Sequence, residues 1–177
     1  MIKGVLTASA IGVLLMGGPA IAHPIAEAEV EKAQKVWADG IVAIGRAYSN
    51  GGNYRALAAE HVDELYGYDE GTVLFKPTKA ASEQFRLNEA EALSYFVGGI
   101  VDEDSGFALQ PWSAVRFENA EIITDSDSAV AMGNYFFTDA TTGEEVKVEF
   151  TFGYVRGADG NLLINIHHSA LPYNPAD

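Results

Sequence analysis

Residues 129–138 read AVAMGNYFFT, residues 145–156 read EVKVEFTFGYVR and residues 162–169 read LLINIHHS. Each stretch alternates between two sets of side chains, the period-two signature of a strand. Asp139 to Gly143 and Gly157 to Asn161 separate them. Both connections are short and rich in Asp, Gly or Thr, as hairpin loops are. A further strand is expected upstream, from Phe107–Trp112 on to Ile123, joined through Asp125-Ser126-Asp127-Ser128. Alternation places Val130, Met132, Asn134 and Phe136 on one face. It does the same for Val148, Phe150, Phe152 and Tyr154, and for Leu162, Ile164, Ile166 and His168. These nearly apolar rows are expected to face a layer of helices. The opposite rows carry Gly133, Tyr135 and Phe137, then Lys147, Glu149 and Thr151, then Leu163, Asn165, His167 and Ser169. That mixed, partly aromatic face is expected to be a self-association surface, with Tyr135, Phe137, Thr151 and His167 as its interface residues.

The helices precede the strands. Val30, Ala33, Trp37, Ile41, Ile44 and Tyr48 recur at steps of three or four, so they form one stripe of a long helix. Glu27, Glu29 and Glu31 suit the positive end of its dipole, and Asn50-Gly51-Gly52 stops it. A second helix starts near Tyr54 behind Asn53 as N-cap. A short strand is expected over Thr72–Phe75 before Pro77. Asn88 with Glu91 resembles a capping box opening a third helix, closed by Gly98-Gly99. No linker divides helices from strands, so one α+β core is expected.

Residues 1–22 have the pattern of a secretory signal peptide: Lys3, an apolar run from Gly4 to Met16, a Gly17-Gly18-Pro19 break and an Ala20-Ile21-Ala22 cleavage site. Residues 23–177 are then a single exported domain, periplasmic or secreted, with no membrane span after cleavage. The chain has 177 residues, with 11 Lys and Arg against 25 Asp and Glu, a formal charge of −14. Such a surface repels phosphate backbones, which argues against a nucleic-acid partner. Cysteine is absent, which excludes disulfides and thiolate chemistry.

Several segments then stand in a recognisable order: Val73-Leu74-Phe75-Lys76-Pro77-Thr78, Gly106-Phe107-Ala108 with Pro111-Trp112 and Val115-Arg116-Phe117, Ala131 to Phe137, and His167-His168-Ser169 with Leu171-Pro172. Together they resemble the bacterial branch of the calcium/calmodulin-dependent protein kinase II association-domain family, of the nuclear transport factor 2-like (SnoaL-like, cystatin-like) superfamily. The resemblance implies a cone of three helices on a strongly bent antiparallel sheet, a pocket between sheet and long helix, and homo-oligomers of dimer size or larger. It also implies a small carboxylate ligand held by arginines. At the corresponding positions, Asn134, Phe152 and His168, this chain has none.

Residue chemistry points to the same pocket. Asn134 is the one strongly polar member of its row, and a buried amide needs a partner or a cavity. His168 ends its row with a titratable ring and is the candidate catalytic residue. With Phe152 and Tyr154 these two form the expected ligand-binding set, suited to a small apolar or carboxylate ligand. His167 and His168 project to opposite faces of one strand, so no paired-histidine metal site is expected, and no cofactor motif is present. The reading is an exported, non-catalytic, oligomeric binding or scaffold domain. The alternative is a small isomerase, dehydratase or hydrolase using His168 with Asn134 or Tyr154. N-terminal sequencing of protein secreted by a bacterial host is expected to begin at His23; a product that retains Met1 contradicts the signal-peptide assignment.

Overall fold

The computed structural model describes residues 23–175. Residues 1–22, which carry the expected signal peptide, lie outside the described residues. Helix α1 spans Glu27–Ser49 and buries Val30, Trp37, Ile41 and Ile44 of the expected stripe, while Ala33 is half-buried and Tyr48 is exposed. Helix α2, Tyr54–Leu65, is capped by the Asn53 side chain, which accepts from the Ala56 N–H. Strand β1 is Leu74–Lys76, and helix α3 is Glu89–Val97 with Asn88 accepting from the Glu91 N–H. A single 3-10 turn, Phe107–Leu109, follows where the sequence suggested strand. Four long strands complete the chain: β2 Trp112–Thr124, β3 Ser128–Asp139, β4 Glu145–Arg156 and β5 Leu162–Ala170. Among the described residues no helix is long and apolar enough to cross a membrane.

The sheet runs β1-β5-β4-β3-β2. The four long strands form the expected antiparallel meander, and β1 joins its edge in parallel to β5. The helices cover one face of this curved sheet, which is the cystatin-like α+β plan. Trp37 of α1 is the centre of the core: its indole lies within 5.6–5.9 Å, centroid to centroid, of Phe117, Tyr135, Phe152 and His167.

The register corrects the expected faces. In β4 the buried row is Val148, Phe150, Phe152 and Tyr154, as read from sequence. In β3 the parity is opposite: Ala129, Ala131, Tyr135 and Phe137 are buried, while Val130 and Met132 are exposed. The pairing explains it, because Ala131 stands opposite Phe152, and Gly133 opposite Phe150. Small residues on β3 leave the room that the large rings of β4 fill. Asn134 therefore pairs with Glu149 on the outer face and does not face a pocket.

In β5 the parity changes within the strand. Tyr154 pairs with Ile164 and Gly153 with Ile166, so Asn165 is an extra residue, a β-bulge. Before it Leu162 and Ile164 point inward; after it His167 and Ser169 do. His168 is exposed, opposite Thr151. The expected candidate catalytic residue thus lies on the wrong face, and Asn134 with it. Of the expected interface set, Tyr135, Phe137 and His167 are core residues, and Thr151 alone remains on the outer face.

Gly133 is required by a close approach. A Cβ there would lie 2.1 Å from the Glu118 carbonyl oxygen, beside the extra residue Ala120 in β2. Backbone cannot yield as a side-chain end can. Gly133→Ala is expected to cost about 1–3 kcal/mol, measured as a lowered midpoint in urea unfolding; an unchanged midpoint contradicts this register.

Candidate active site

The inner face holds polar groups in two layers. In the deeper layer, Trp37 Nε1 donates to the Tyr66 hydroxyl at 2.9 Å, and that hydroxyl lies 2.8 Å from His167 Nδ1. An indole N–H only donates. The indole N–H, the Tyr66 hydroxyl and His167 Nδ1 are all engaged when Tyr66 accepts from Trp37 and donates to Nδ1, the tautomer that carries the His167 proton on Nε2. The imidazole is held by Phe75, stacked at 4.4 Å, and Phe152 at 4.1 Å. Burial, with smaller contributions from His168 and His61, holds its pKa well below the usual histidine value. His167 is a neutral ring. His167 Nε2 is buried with no hydrogen-bond partner among the described residues.

The upper layer is a cluster of hydroxyls. Ser169 follows His167 by two residues, so it shares the inward face. Its Oγ lies 2.8 Å from Thr78 Oγ1, just past β1. The Tyr135 phenol, from β3, approaches both; burial pushes its pKa up to about 12 although the two hydroxyls pull it down. Tyr95, from α3, is buried, and its hydroxyl approaches Thr78 and the Lys79 backbone without hydrogen-bond geometry. Burial pushes this phenol up still more strongly. Both tyrosines therefore remain protonated donors. Lys76 Nζ donates to the Ser169 carbonyl at 3.1 Å. Phe107 stacks on Tyr95 at 5.4 Å and Phe150 lies 5.4 Å from Tyr135, so the cluster has aromatic walls.

Tyr95 and Lys79 also line a cavity of about 360 Å³ with Glu103, Asp104 and Gln110. A larger groove, about 630 Å³, lies between α1, α2 and the β4–β5 turn; of the two layers only Tyr66 borders it. Among the described residues no group of three or more His, Asp or Glu side chains is placed to hold a metal ion.

The structure thus brings Phe152 and Tyr154 to the inner face, and leaves Asn134 and His168 outside. It adds Thr78, Tyr95 and Ser169, which sequence reasoning missed, and returns Tyr135 and His167 from a supposed interface. A signal for Ser169 and His167 was present: Asn165 is the one polar residue in the run Leu162–Ile166, a place where a bulge interrupts a strand. Thr78 and Tyr95 belong to no periodic row that singles them out.

His61 is a second buried imidazole, packed against Trp37 and Phe96 over the bare Gly40. Burial lowers its pKa to about 4. Below pH 6.5 the unfolded chain takes up a proton that the folded chain refuses. Stability is therefore full above that pH and is lost as pH falls towards 4. At 1.36 kcal/mol per pKa unit, His61 accounts for about 3 kcal/mol of this fall. Unfolding free energy followed from pH 7 to 4 is expected to fall less steeply in His61→Leu; parallel curves contradict the buried neutral ring.

A family model described as metal-independent carbonic anhydrase matches residues 28–171. A metal-independent carbonic anhydrase from Nostoc sp. (strain PCC 7120 / SAG 25.82 / UTEX 2576) is 42% identical over 160 residues, covering 88% of this chain and 78% of the relative. The crystal structure of an iota-carbonic anhydrase from a cyanobacterium, complexed with bicarbonate, superposes with a TM-score of 0.84 at 41% identity, covering 90% of this chain and 99% of that one. A protein described as a calcium/calmodulin-dependent protein kinase type II association domain, from Thiobacillus denitrificans, is 12% identical with a TM-score of 0.53, covering 86% of this chain and 98% of that one. That last likeness is one of fold alone. The expected association-domain family is therefore corrected: the family model and the 42% identical relative are metal-independent carbonic anhydrase, and the association domain shares only the fold. The non-catalytic scaffold reading, with its isomerase, dehydratase or hydrolase alternative, is overturned by the identity to an enzyme of another class.

Proposed function

This chain belongs to the metal-independent carbonic anhydrase family, and from that premise we propose that it interconverts carbon dioxide and bicarbonate at the Thr78, Tyr95, Tyr135 and Ser169 hydroxyl cluster. The observation that carries the reading is the Thr78–Ser169 pair, 2.8 Å apart against two buried, protonated phenols. The cyanobacterial relative is described as complexed with bicarbonate, an anion whose three oxygens need hydrogen-bond donors.

The chemistry asks for two things. Carbon dioxide is apolar overall, and the aromatic walls suit it. Attack by water on its carbon moves a π-electron pair onto oxygen, so negative charge develops there. Donors already fixed at that point stabilise the charge without reorganising. A hydroxyl both donates and accepts. Ser169 and Thr78 are thus able to orient the attacking water through their lone pairs, while the phenols direct protons at the oxygens that gain charge. The proton lost by the water leaves as the second product. Lys76, donating to the Ser169 carbonyl, and Lys79, beside Tyr95, add positive charge next to an anion in a chain of −14.

The chain is further read as an exported protein, from its N-terminal pattern, and as a homo-oligomer. The outer sheet face, with exposed Ile123, Val130 and Met132, now supports self-association in place of the buried rings first assigned to it.

Stopped-flow hydration of carbon dioxide, followed by a pH indicator in buffer with a strong chelator, tests the function. The unsubstituted chain is expected to exceed the uncatalysed rate. Ser169→Ala and Thr78→Ala are each expected to lose roughly 100-fold in kcat/KM. No hydration by the unsubstituted chain, or full activity in both variants, contradicts the proposal.

A further inference from the structure

Thr78 lies on a strap, residues 77–88, that has no regular secondary structure between β1 and α3. A hydroxyl on a free loop has no fixed place, yet this one is held 2.8 Å from Ser169. The strap is gripped at two points. Near its far end the Arg86 N–H donates to the Phe75 carbonyl at 2.9 Å, and the Tyr68 hydroxyl donates to the Arg86 carbonyl at 2.9 Å. The Arg86 guanidinium is fully buried. It donates to Asp104 Oδ1 at 2.5 Å and to the carbonyls of Glu83 and Phe85, with Glu103 3.9 Å away. In the middle of the strap the Glu103 carboxylate accepts the backbone N–H groups of Ala81, Ser82 and Glu83, at 2.9–3.2 Å.

Two consecutive acids, on the loop after α3, thus hold both the middle and the far end of the strap that carries Thr78. Charge-assisted bonds of this kind are about twice as strong as neutral ones. Burying a guanidinium is costly, and here it fastens a connection, not a core element. Glu103 and Asp104 also border the cavity that Tyr95 and Lys79 line, so the clamp and the site share a wall.

We propose that Glu103 and Asp104 are positioning residues, which keep the strap closed and thereby set the Thr78 hydroxyl against Ser169 and Tyr95. This rests on the carbonic anhydrase reading above. With the clamp removed the strap opens, the competent fraction falls, and kcat/KM falls in proportion.

The experiment is a double-mutant cycle on the full chain, with amide hydrogen exchange as an activity-independent readout. Glu103→Ala is expected to expose the Ala81, Ser82 and Glu83 amides to exchange and to lower kcat/KM for carbon dioxide hydration roughly tenfold. In a Thr78→Ala background the same substitution is expected to change kcat/KM less than twofold, because the group it positions is gone. An equal fall in both backgrounds, or lost protection with kcat/KM unchanged, overturns the proposal. Should Glu103→Ala fail to fold, Glu103→Gln, which keeps one acceptor oxygen, takes its place in the same cycle and is read by the same criteria. A parent chain without hydration activity overturns the functional reading, and is told apart because it appears before any substitution is made.

Discussion

One extra residue in one strand decides what faces the core of this protein. Asn165 has no partner of its own on β4, and the residues on either side of it pair with neighbours there. Because side chains alternate strictly, everything after the bulge is turned over. Gly153 makes the bulge possible: a Cβ there would lie 2.8 Å from Asn165 Oδ1 and 2.9 Å from Ile166 Cβ. Without the bulge, His168 would face the aromatic core, while His167 and Ser169 would face solvent. The Trp37–Tyr66–His167 chain and the Thr78–Ser169 pair both depend on that inversion.

The interior so formed is buried and aromatic, and its imidazoles and phenols are kept neutral. Burial lowers both buried imidazoles and raises the phenols of Tyr66, Tyr95, Tyr135 and Tyr154. Donors fixed in low dielectric act more strongly on developing charge than the same donors in water. A site made of hydroxyls has its own logic here. Each hydroxyl serves as donor or acceptor by rotation, so in the proposed reaction one small cluster addresses a neutral linear molecule, a water and a planar anion in turn.

The division of labour between elements is also clear. β5, β3 and α3 place Ser169, Tyr135 and Tyr95 on regular structure, where backbone pairing fixes them. Thr78 is the exception, carried by an irregular strap. The buried Arg86–Asp104 pair and the Glu103 carboxylate give that strap a rigidity that its own backbone lacks.

Sequence alone determined the α+β plan. The stripe from Val30 to Ile44, the caps at Asn53 and Asn88, and the alternating runs of β3, β4 and β5 are local signals, each fixed by the period of one element. The buried row of β4 was legible for the same reason. The inner face of β3 and the end of β5 were not. Two rows of similar apolarity compete in β3, and only the pairing of Ala131 with Phe152 chooses between them. In β5 one unpaired residue resets the alternation, and a strand read by itself has no neighbour to count against. Thr78, Tyr95, Tyr135 and Ser169 come from four separated parts of the chain. No spacing within any one of them records that they meet. Their meeting is a property of the assembled sheet, because cross-strand register and the packing of α3 on β1 exist only once the strands have paired.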